Sequence, residues 1–294
     1  MPTIAEVYKT HLAAMIQNTS QNQQVTEKNV YQPGNPINRK YVDKVIEDHL
    51  LPGSRIINIE TLYELHRRSK AGKSCLILME HYSNFDLPVF IYLLSHSGPE
   101  GLAAAESIVA MAGLKLNVES KAVLAFSEAY SRIVIYPSRY LEKITDPEEL
   151  KEARKKSSVI NRAALHHMVR CKHSGHIILV FPSGTRYRPG KPDTKRGLKE
   201  MDSYLKVFDY MVLVGIEGNI LRIHPSGEME EDQLFKDTVV YKASPILECE
   251  DFRNKARSSA PAGVDVKQYV ADKVMRELEV LHEEIQQIKE ASAH

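Results

Sequence analysis

CLILMEHYSNFDLPVFIYLLS, residues 75–95, reads as a five-residue apolar strand, a short polar loop and an apolar helix. The uniform hydrophobicity of Cys75–Met79 predicts a strand buried on both faces. Apolar runs of the same kind recur at SIVAM (107–111), RIVIY (132–136), HIILVF (176–181) and MVLVGI (211–216). Helical segments lie between them: Phe85–Ser95, Leu116–Tyr130, Pro147–Arg170 and Leu198–Phe208. This alternation predicts an α/β fold, a layered αβα core on a mixed, largely parallel sheet. TVVYKASPIL (238–247) adds a late strand, with an antiparallel direction left open. Val264–Glu290 reads as a long closing helix, with Val270, Val274, Leu278, Leu281 and Ile285 at helical spacing.

Upstream, Tyr41–Leu51 and Glu60–Ala71 carry apolar residues at helical spacing, and Gln17–Asn38 is a polar, proline-bearing loop. The expected organisation is an N-terminal helical region over 1–72 and an α/β domain over 73–294 that includes the C-terminal helix. With 39 basic and 38 acidic residues, bulk charge argues against a nucleic-acid partner. Three cysteines without CxxC spacing fit a reducing, cytoplasmic-type compartment. MPTIAEVYKTHLAAMIQ lacks a basic leader followed by an apolar stretch, so no secretory signal is expected. The longest apolar stretches fall far short of the roughly 20 residues a spanning helix requires.

Two loops carry the candidate chemistry. HYSNFD (81–86) places His81 just past a strand end, where open α/β sheets hold ligands. Asp86 falls at a helix start, and the intervening turn lets its carboxylate fold back onto the imidazole. A capping aspartate beside a loop histidine is the plainer reading of the spacing alone. FPSGTRYRPG (181–190) follows another apolar run with a rigid Gly/Pro turn. Arg186 and Arg188 are one residue apart, so in extended backbone their guanidiniums point to one side and suit a phosphate dianion. The plainer reading there is a solvated charged loop.

Other patterns lead nowhere. AGKS (71–74) lacks the upstream glycine of a phosphate loop, and a strand follows it instead of preceding it. HHMVRCKHSGH (166–176) holds adjacent histidines that point apart on a helix, so no metal site is expected. No GxSxG elbow is present.

Together HYSNFD and FPSGTRYRP resemble the signature blocks of the glycerolipid acyltransferase superfamily, over residues of about 70–225. The Ser-Gly and alternating arginines after Phe-Pro look most like soluble plastid-type glycerol-3-phosphate acyltransferases. IVIYPSRYLEKI (133–144) resembles the second substrate-binding segment, with Arg139 in a lysine's place and Tyr140 in a histidine's. Thr185 departs from a Gly-Gly pattern, and MVLVGI lacks the Val-Pro pair of a fourth block.

The resemblance implies that His81 is the base and Asp86 its orienting carboxylate. It implies that Arg139, Ser183, Gly184, Arg186 and Arg188 bind glycerol 3-phosphate. The acyl donor would be a thioester of acyl carrier protein or coenzyme A, with no cofactor and no metal, in phospholipid biosynthesis. The expected location is cytoplasmic or a plastid-stroma-like soluble compartment, with peripheral membrane contact left open. Two other readings stand beside it: acylation of lysophosphatidate, and a noncatalytic lipid- or phosphate-binding relative. The basic stretch Lys151, Arg154, Lys155, Lys156 and Arg162 is either a docking face for an acidic carrier protein or a solvated helix surface.

Overall fold

The computed structural model describes residues 2–19, 24–142, 144–224, 226 and 229–292. Helices α1 (Ile4–Val7) and α2 (Lys9–Gln17) precede strand β1 (Tyr31–Gln32). Helix α3 (Pro36–His49) begins where Asn35 accepts from the amides of Ile37 and Asn38, with proline in the first turn. Strand β2 (Arg55–Ile57), helix α4 (Ile59–Lys70) and strand β3 (Cys75–Met79) follow. Next come α5 (Asp86–Ser95), α6 (Pro99–Ser107), β4 (Ile108–Gly113), α7 (Lys115–Val118), α8 (Lys121–Ser127) and β5 (Arg132–Ile135). Then α9 (Ser138–Leu141), α10 (Pro147–His173), β6 (Ile177–Val180), α11 (Met201–Val207) and β7 (Tyr210–Glu217) complete the motif-bearing part. The chain closes with a small hairpin, β8 (Leu221–Arg222) and β9 (Gln233–Leu234), then β10 (Val240–Ala243), β11 (Leu247–Glu248), α12 (Cys249–Ser258) and α13 (Val266–Ser292).

The main sheet has the order β1-β5-β4-β6-β3-β7-β10-β2, with β11 beside β7. Strands β5, β4, β6, β3 and β7 are parallel, β1 pairs antiparallel with β5, β10 and β11 pair antiparallel with β7, and β2 runs parallel to β10. This is the mixed, largely parallel sheet expected. β3 lies between β6 and β7, and Cys75 sits opposite Ile177 on one side and Tyr210 on the other.

Alternation along β3 explains why its sequence is apolar throughout. Cys75, Ile77 and Met79 pack with Val42, Leu65 and Phe90 in one layer. Leu76 and Leu78 pack with Met168, Leu205 and Val274 in the other. Helices therefore cover both faces, and the C-terminal ends of the central strands open onto one side.

The reading of residues 1–72 as helices and loop needs correction. β1 pairs Tyr31 with Ile133 on β5, and β2 pairs Ile56 with Tyr241 on β10. Both outer strands of the sheet thus come from this region. Strands of two or three residues carry no alternation that a sequence can display.

The single helix expected over Leu116–Tyr130 is two, because Ser120 is extended and its hydroxyl caps α8 at the Val123 amide. α6 and α12 were not anticipated. α6 is Ala-rich and shows little apolar stripe.

Candidate active site

Past Met79 the chain turns sharply, and Asp86 is the device that shapes the turn. Its Oδ2 accepts from the amides of Tyr82 at 2.5 Å and Ser83 at 2.8 Å, and from His81 Nδ1 at 3.0 Å. Oδ1 accepts from the Ser83 hydroxyl at 3.1 Å. The carboxylate is 3% exposed and folds back over its own loop, as the turn reading required. Because Nδ1–H donates to a carboxylate, Nε2 is the ring nitrogen left to accept a proton. The imidazole stacks on Phe181 with centroids 3.9 Å apart and planes at 17°. Packing and hydrogen bonding thus both fix the ring.

Phe181 also opens the second loop, which is fastened to the first: the Tyr187 amide donates to the His81 carbonyl at 2.7 Å. The turn depends on Gly184. Its φ is +62°, and an added Cβ would meet Leu198 Cδ1 at 2.5 Å. Ser183, expected to contact substrate, is instead buried, and its hydroxyl donates to the Thr185 carbonyl at 2.7 Å. It is not among the residues that line the cavity beside His81.

That cavity has a volume of about 1070 Å³. It brings together His81, Gly184, Arg139, Arg186 and Arg188, which lie on three separate loops or helices. Arg139 enters from α9, after β5. Among the described residues its wall carries five basic side chains, the fourth and fifth arginine-or-lysine positions being Arg132 and Lys115, against the single acid Glu200. The remaining lining is largely apolar and includes Leu87, Met111, Ala112, Val123 and Phe126. Such a space suits a ligand with an anionic end and a hydrocarbon body.

The two clamp arginines are not equivalent. Arg186 is 6% exposed and makes an ion pair with Asp232, which is fully buried. Burial pushes the Asp232 carboxyl up, and Arg186 pulls it down by less. Arg188 is half-buried, and its Nε has no hydrogen-bond partner. Arg132 is 2% exposed; its Nη1 donates to the Ser127 carbonyl at 2.5 Å, while Nε and Nη2 lack partners. Burial lowers its pKa to about 10, opposed by the nearby Glu128.

Arg132 opens the strand run RIVIY, and nothing in that pattern marks it as a cavity residue. Asp232 lies in a stretch without any motif, so sequence gave no sign of it. Among the described residues no group of three or more His, Cys, Asp or Glu is placed to hold a metal ion. No helix among them is long and apolar enough to cross a membrane.

A carboxylate-held imidazole and cationic side chains in one partly apolar cavity are groups able to take a proton and to hold an anion. The family model for acyltransferases matches residues 55–210, more than half of the chain and both loops. The chain belongs to the acyltransferase family, in keeping with the glycerolipid acyltransferase superfamily whose blocks it carries. No curated protein matches the sequence.

Proposed function

We propose that this acyltransferase moves a fatty acyl group from an acyl carrier protein or coenzyme A thioester to the 1-hydroxyl of glycerol 3-phosphate. The product is lysophosphatidate, an early intermediate of phospholipid synthesis. The observation behind this reading is that His81 and the three arginines Arg139, Arg186 and Arg188 line one cavity. A base alone would serve many reactions; a base that shares a cavity with several guanidiniums favours a phosphorylated alcohol.

In this reading His81 Nε2 takes the hydroxyl proton as the oxygen attacks the thioester carbonyl. The new C–O bond forms, the C–S bond breaks, and the imidazolium returns its proton to the departing thiolate. Asp86 stabilises the imidazolium while it exists. General-base help of this kind is typically worth about 10²–10⁴ in rate. Arg139 and Arg188 meet the phosphate, with Arg186 held between it and Asp232. The apolar wall receives the acyl chain. No resident cofactor or metal takes part, and the reducing compartment suits three buried free thiols.

A panel crossing both thioester donors with glycerol 3-phosphate and lysophosphatidate tests the reading. Glycerol 3-phosphate is expected to be the better acceptor. Preference for lysophosphatidate would move the reaction to the second acylation, and release of neither thiol would leave a noncatalytic relative.

A further inference from the structure

The residues on both sides of His81 are tied to the C-terminal helix by a partly buried polar network outside the cavity. Glu80 is 3% exposed; its Oε2 accepts from the Ile216 amide at 2.9 Å, and its Oε1 from the Tyr82 hydroxyl at 2.7 Å. From α13, His282 brings Nδ1 within 2.6 Å of the Ile216 carbonyl and 3.4 Å of Glu80 Oε2. The same nitrogen is 3.4 Å from the Tyr82 hydroxyl, and Nε2 is 3.3 Å from Glu217. α13 approaches this closely because Gly215 underlies it: a Cβ there would lie 2.8 Å from Leu281 Cβ and 3.1 Å from the His282 amide.

A purely mechanical tie between helix and sheet needs no ionisable pair, and burying one is costly. Apolar packing of α13 on β7 would do that work alone. What the pair adds is a positive charge from α13 set against Glu80, the residue before His81 in the chain. We infer that His282 is a positioning residue for His81: through Glu80 and Tyr82 it fixes the loop that carries the imidazole, and its charge offsets that of Glu80. The inference rests on the reading of His81 as the base.

Several charged groups surround His282. Glu80 and Tyr82 face it from the end of β3, and Glu217 from β7. On its own helix Gln286 Nε2 is 3.1 Å away, and Lys289 reaches Glu217 at 3.7 Å. Glu279 is paired with Lys195, and Glu284 with Lys242 of β10 at 2.9 Å. Burial pushes the His282 imidazole down, but the hydrogen bond and charge of Glu80, the Ile216 carbonyl and Glu217 together outweigh it and raise its pKa above the ordinary value.

His282→Gln keeps a donor for the Ile216 carbonyl and removes the positive charge. Glu80→Gln keeps an acceptor for the Ile216 amide and removes the negative one. The His81 titration midpoint can be followed by NMR, assigned by its loss in His81→Gln, with no substrate present. It should rise by about half a pH unit or more in His282→Gln and fall by a similar amount in Glu80→Gln. In transfer assays His282→Gln should lower kcat about tenfold and leave both KM values unchanged.

A midpoint unmoved in both folded charge variants overturns the inference. Should His282→Gln fail to fold, the Glu80→Gln titration decides alone. Absence of acyl transfer by the unaltered enzyme would count against the proposed reaction and leave this titration intact as a test.

Discussion

Arg186 and Arg188 look alike in sequence, yet substitution should separate them. Arg188 has an unpartnered Nε in the cavity wall, so Arg188→Ala removes a charge without orphaning another. Losing one charge-assisted contact costs about 1.5–3 kcal/mol, which predicts a KM for glycerol 3-phosphate raised roughly 10- to 100-fold with a smaller change in kcat. A steady-state titration of the acceptor checks this; an unchanged KM removes Arg188 from the phosphate site. Arg186→Ala is less clean, because it strands buried Asp232. Breaking a buried pair typically costs about 3–5 kcal/mol, so this variant should also show a lowered Tm. The His81–Asp86 contact was legible because strand, turn and helix start follow one another within a dozen residues. The Arg186–Asp232 pair was not, since pairing across 46 positions leaves no local pattern.

Long apolar runs were legible for a related reason. A strand covered by helices on both faces must be apolar where it is buried, and β3, β6 and the buried Met211–Ile216 stretch of β7 are. The two-residue β1 and three-residue β2 are specified by partners far away in the chain, so nothing local announces them. α13 was visible from its stripe, but its second role at His282 was not. Two measurements address that helix. Gly215→Ala forces a methyl against Leu281 and should cost about 1–3 kcal/mol, read as a lower Tm. An unchanged Tm would mean that α13 yields freely. The raised pKa of His282 in the folded protein sets the sign of its pH dependence. Its contribution to stability is fully present below the unfolded value of about 6.5 and is lost as pH rises through the raised folded value. The Tm advantage of the unaltered protein over His282→Gln should therefore be largest in mild acid and shrink on the alkaline side.

Taken as a whole, the chain is nearly neutral, with a formal charge of +1, while one cavity wall concentrates arginines. Bulk composition averages that asymmetry away, which is why only the motifs disclosed it. The cavity also draws on elements that sequence could not connect to it. Ile4, Ala5 and Leu12, from the first two helices, line it alongside Phe126 of α8. Leu12→Glu should raise the KM for a long-chain acyl donor about tenfold and leave that for glycerol 3-phosphate within about twofold. Equal effects on both would put the acyl chain elsewhere. The central claim is that His81 supplies the base in a cavity whose arginines hold the acceptor. Its most direct test pairs glycerol 3-phosphate binding with acyl transfer in His81→Ala: transfer should fall by about 10²–10⁴ while binding stays unchanged. Undiminished transfer would contradict the claim.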